Sequence, residues 1–162
     1  MYRNMTAREA NIKLSFCGAA APALLAALAR LVGTVPQDVG ESSDHADPRH
    51  KGLLIVPFTP QGTQINGFTP RLHCYALASG MERIPMLLAG ADGVAFVRSP
   101  NSDESDALAA LKAVLPSDVS PGAPLVVVDF RDGPGAERST IDALRRVTRE
   151  TLAVVKRSWP VD

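Results

Sequence analysis

The sequence predicts a three-layer α/β domain with a mostly parallel sheet and one antiparallel hairpin, on three observations. Short apolar runs of strand length alternate with stretches in which leucines recur at helical spacing. Two early strands are separated only by a turn rich in Pro and Gly. A later run, PLVVVD at 124–129, is apolar without interruption, the pattern of a central parallel strand covered on both faces. At 162 residues the chain suits one domain over 1–162 with a single core.

The elements follow in order. The first strand places Ile12, Leu14 and Phe16 on one face. Gly18 comes next, and then a helix with Leu24, Leu25, Leu28, Leu31 and Val32 at helical spacing and Pro22 in its first turn, where a missing amide is tolerated. From 33 to 51 the composition turns to Gly, Pro, Ser, Asp and His, which predicts a mobile loop. Strands at 53–58 and 68–77 flank Pro60, Gly62 and Gly67 and form the hairpin, the second with Leu72, Cys74 and Ala76 on one face. A short helix near 85–89, a strand at 93–97 and a helix around 103–114 precede the 124–129 strand. The last helix is expected to start at a Ser139 or Thr140 cap and to face Ile141, Leu144, Val147, Leu152 and Val155 inward. Trp159 is read as a clamp of that helix on the sheet, and Asp92 with Gly93 as a turn into the 93–97 strand.

Residues 12–28 have the layout of a phosphate-binding strand, loop and helix without its chemistry. In an intact loop a Gly opens the turn, and a second Gly, a Lys and a Ser or Thr close it; here those closing positions are Ala23, Leu24 and Leu25. Lys supplies charge to the phosphates and the hydroxyl holds magnesium. Two leucines do neither.

Composition excludes several classes. Lys plus Arg equals Asp plus Glu at 17 each, with no dense basic run, so nothing favours nucleic acid or an anionic membrane. Arg145, Arg146, Arg149, Lys156 and Arg157 read as the solvated face of an amphipathic helix. The polar N-terminus lacks the apolar core of a signal peptide, and the longest apolar stretch, 19–32, is too short to span a bilayer. A cytoplasmic protein is expected. Cys17 and Cys74 are read as buried free thiols, and His45, His50 and His73 are not spaced as metal ligands. Arg71 and His73 are given no catalytic role.

Local wording then narrows the comparison. INGFTPRLHCYAL at 65–77 and AGADGVAFV at 89–97 resemble bacterial gliding-motility GTPases of the MglA type, small Ras-like proteins. The matching positions are Gly67, Phe68, Arg71, His73 and Tyr75, then Gly90, Asp92, Gly93, Phe96 and Val97; REANIKLSFCG at 8–18 resembles the family's opening strand. The resemblance implies a Ras-like, P-loop NTPase-like fold in which 33–51 occupies the first switch. It also implies losses. Of the nucleotide positions it carries over, Gly18 remains, whereas Ala23, Leu24 and Leu25 replace the second Gly, the Lys and the magnesium hydroxyl. In the second switch Gly80 survives beside Met81, without the family's Gln. The base-recognition sequence keeps only Asp132, and the residues that follow are too few for the family's last helix and strand unit. Five strands are expected, with 124–130 left as an apolar edge.

These readings imply a catalytically inactive pseudo-GTPase with no cofactor, a protein-interaction module in cell polarity or motility. Its interface is expected at Pro124, Leu125, Val127, Phe130 and Met81, since an uncovered apolar edge invites a partner or a dimer unless the loop 115–123 shields it. Family analogy names a roadblock-type regulator or an MglA-type GTPase as that partner. The alternative is a divergent GTP- or ATP-binding protein whose weak hydrolysis is assisted by a partner, with Gly18 and the first-helix amides attracting the anion. A receiver-like phosphoacceptor lacks the acidic residues it needs after Phe16.

Overall fold

The computed structural model describes residues 1–41, 48–78 and 84–160. β1 (Tyr2–Asn4) turns back antiparallel onto the start of β2 (Glu9–Cys17). The other elements are α1 (Ala21–Leu31), β3 (Gln37–Asp38), β4 (Leu53–Phe58), β5 (Thr69–Leu77), α2 (Ile84–Leu88), β6 (Gly93–Arg98), α3 (Ser105–Asp118), β7 (Leu125–Asp129) and α4 (Ala136–Arg157). The sheet runs β3-β4-β5-β2-β6-β7, with β5, β2, β6 and β7 mutually parallel and β4 antiparallel to β5. Along one edge of β2, β1 takes the first residues and β6 takes Leu14 to Cys17.

Strand alternation divides the core into two layers. Ile12, Leu14 and Phe16 of β2, Leu72, Cys74 and Ala76 of β5, and Val126 and Val128 of β7 pack beneath α1 and α4. Cys17, Leu77, Phe96, Leu125 and Val127 face α2 and α3. The sandwich is therefore helix, sheet, helix, as the alternation predicts. Two glycines permit close approach. A Cβ at Gly93 would strike the Thr151 hydroxyl of α4. At Gly18, where φ is +105°, a Cβ would lie 2.6 Å from the Val97 carbonyl oxygen.

Several expectations are corrected. The sheet has seven strands rather than five, because β1 and the two-residue β3 add to it. The 33–51 segment carries β3 and a 3₁₀ turn at Pro48–His50, while 42–47 lie outside the described residues. β7 is an edge strand, as the missing last unit implied, and not the central one that its hydrophobicity alone suggested. Val126 and Val128 are buried, but Leu125 and Val127 are only half-buried, because no strand follows on that side among the described residues and α3 covers them in part. α4 begins at Ala136 after Gly135 with no side-chain cap. Ser139 instead accepts the Arg131 amide at 2.9 Å, and Thr140 donates back to the Ala136 carbonyl. Ile141, read as inward, is 40 % exposed, as are Leu31 and Val32 to a similar extent. Asp92 does more than turn the chain: buried, it accepts the Lys13 amide at 2.9 Å and pairs with the Met1 ammonium at 2.6 Å. Trp159 packs on Phe68 with ring centroids 5.3 Å apart, and Arg3 lies over the indole.

Candidate functional site

In open α/β sheets ligands bind outside the carboxyl ends of the strands, so the site begins where β2 ends. Only Gly18, Ala19 and Ala20 separate β2 from α1. The loop closes on itself, with the Ala21 amide on the Gly18 carbonyl and the Leu24 amide on that of Ala20, each at 3.1 Å. Leu24 and Leu25 are 0 % exposed and belong to the core beneath α1 and α4. Ala23 is half-buried against the same cluster. A cavity of about 370 Å³ lies at this end, lined by Cys17, Gly18, Pro22, Leu77, Ile84 and Glu104 among others. Among the described residues no Lys or Arg lines it. Its one carboxylate among the described residues, Glu104, is already the acceptor for the Ser99 amide at 3.2 Å.

The remaining sequence-singled positions scatter. Gly80 and Met81 lie outside the described residues. Asp132 is exposed and accepts the Gly133 amide at 2.8 Å, and it does not line the cavity beside Gly18. Among the interface candidates, Pro124, Leu125 and Val127 are half-buried. Phe130 is only 2 % exposed, so its side chain belongs to the core rather than the surface. Of the expected loop 115–123, residues 115–118 belong to α3; Leu115 and Val119 pack in the same cluster as Leu125 and Val127, and Ser120 ties the remainder to Gly90 and Ala91.

Two further clusters escaped sequence reading because each joins distant segments. At the carboxyl ends of β6 and β7 a cleft of about 710 Å³ gathers Arg98, Asp129, Arg131, Arg138 and Ser139. Four of its charges pair internally, Arg98 with Asp129 at 3.0 Å and Arg138 with Asp142 at 3.9 Å. On the α2 and α3 face, a smaller hollow of about 360 Å³ brings together Asn11, Lys13, His73, Tyr75 and Asp92. Lys13 donates to the Ala89 carbonyl at 2.7 Å and sits 5.0 Å from the Tyr75 ring centre. Burial lowers its pKa against the opposing pull of Asp92. His73 Nε2 lies 2.9 Å from Asn11 Oδ1; burial first, then Arg71, lowers its pKa, with Glu9 opposing. The period-two alternation of β2 and β5 was the available signal, since Lys13 and His73 are paired in register. Within this hollow the groups bond to one another and to backbone, His73 to Asn11 and Lys13 to the Ala89 carbonyl.

Among the described residues no group of three or more His, Cys, Asp or Glu is placed to hold a metal, and no helix is long and apolar enough to cross a membrane. Comparison of the sequence with models of protein families, and with curated proteins, finds no match.

Proposed function

We propose that this chain is a Ras-like pseudo-GTPase, a scaffold that binds no nucleotide and acts through protein contacts in bacterial polarity or motility. The single observation that carries this reading is the complete burial of Leu24 and Leu25. Where a Ras relative places a phosphate cation and a magnesium ligand, this chain places core hydrocarbon. A strand order with β2 central, the hairpin β4-β5 on one side and β6-β7 on the other, supports the Ras-like part. The three-residue loop before α1 and a cavity wall that carries no cation among the described residues support the loss of binding. A triphosphate seated there would meet neither charge compensation nor metal. The partner by family analogy is a roadblock-type regulator or an MglA-type GTPase, and the exposed edge of β7 is the first surface to test.

The deciding experiment is to denature the purified protein and run the supernatant on an ion-exchange column, and to titrate the native protein calorimetrically with GDP or GTP and magnesium. An empty supernatant and no heat are expected. Stoichiometric nucleotide, or saturable binding, would overturn the reading.

A further inference from the structure

A groove of about 720 Å³ runs between the end of α1 and the middle of α4, with the tip of the β4-β5 hairpin as its third wall. Its lining is largely apolar, from Leu31, Val32, Phe58, Ile141 and Leu152. Leu31, Val32 and Ile141 are among the most exposed large hydrophobic residues of the chain, at 39 %, 41 % and 40 %. Two cations, Arg145 and Arg149, line the same groove one helical turn apart. Elsewhere on α4, Arg138 has Asp142 and Arg146 has Glu150, each at 3.9 Å. Arg145 and Arg149 have no carboxylate partner among the described residues.

We propose that this groove docks an amphipathic helix of a partner protein, its apolar side chains set into the groove and its flanking Asp or Glu residues paired with Arg145 and Arg149. The volume lies within the range of real binding sites. Two walls are helices whose backbone amides are spent internally, and the hairpin wall offers only the short end of β4 at Phe58 beside Pro60, which has no amide donor, so recognition rests chiefly on side chains at helical spacing. The two guanidinium groups, neither within ion-pair distance of a carboxylate among the described residues, set the sign of the flanking charge. The surface is separate from the β7 edge and does not depend on whether nucleotide binds.

The test uses the full chain and a fluorescein-labelled helical peptide of about 16 residues, with Leu at i, i+3, i+4 and i+7 flanked by Glu. A twin carries Lys in place of every Glu. Fluorescence anisotropy is expected to show saturable binding of the Glu peptide alone, with amide shift changes in the wild type confined to the α1, α4 and hairpin walls. Ile141→Glu should abolish binding. Arg145→Glu with Arg149→Glu should weaken it by about tenfold or more and make the Lys twin the better ligand. These positions are exposed, so unchanged thermal melting should accompany both variants. Equal binding of the two peptides, no binding of the Glu peptide, shift changes elsewhere, or no effect of the double variant would overturn the proposal. So would sedimentation of the wild type as a dimer that Ile141→Glu dissolves, which would make a second copy the occupant.

Discussion

The Arg146 guanidinium donates from Nη1 to the Val127 carbonyl oxygen at 2.8 Å, so α4 reaches across the free edge of β7. The register explains why this carbonyl is available. Val94 donates to Pro124 and Phe130 donates to Arg98, which leaves the backbone groups of Leu125, Val127 and Asp129 pointing away from β6. Ser139 takes the second of these carbonyls, donating to Asp129 at 3.2 Å. A bare edge is a template for pairing with another chain, and two side chains of α4 close part of it.

Arg146→Ala should therefore expose the edge. The expected loss of stability is small, about 1 kcal/mol, because the guanidinium is half exposed and water replaces it. The larger effect should be on association, seen as a concentration-dependent rise in light scattering. A variant matching the wild type in both denaturation and scattering would show that the edge needs no cap.

Gly18→Ala should destabilise the protein by about 3 kcal/mol or more, from left-handed backbone strain together with the clash on Val97. The glycine thus has a packing reason to remain that owes nothing to phosphate. Chemical denaturation measures it, and a neutral variant would refute the packing account.

Restoring the missing cation should not restore a site. Leu24→Lys places an ammonium in the core and should prevent stable folding, whereas Leu24→Ala should cost about 2–5 kcal/mol. Circular dichroism and thermal melting distinguish these outcomes. A folded Leu24→Lys protein that binds GTP would mean that α1 turns this position toward the loop.

Burial pushes the thiols of Cys17 and Cys74 up to about 12 from an ordinary value near 9, and burial, then Cys74, raises the Tyr75 phenol. Above about pH 9 the unfolded thiols release protons that the folded protein keeps, so stability is intact below that pH and falls as pH climbs toward 12. Lys13, whose pKa is lowered, acts with the opposite sign, one group against three. Urea midpoints should drop steadily above pH 9, and native protein should resist a thiol reagent at pH 8 until denatured. Fast labelling of the native protein, or a flat midpoint through pH 11, would contradict this.

Local residue patterns were enough to reveal the alternation of strands and helices, the β4-β5 hairpin, and the apolar replacements at Ala23, Leu24 and Leu25. Each is written in local spacing, which side-chain periodicity exposes directly. The uninterrupted hydrophobicity of PLVVVD marks a strand between helix layers but says nothing about how many strands flank it; its place at the edge was legible only from the few residues between Asp132 and the last helix. Ile141, Leu31 and Val32 fit a helical stripe, yet only the angle at which α1 and α4 meet the hairpin decided that they line an open groove. The same holds for the five basic residues near the C-terminus. One face of α4 turns Arg146 to the β7 edge and an adjacent one leaves Arg145 and Arg149 uncompensated, a division made by long-range contacts that neighbouring residues do not encode.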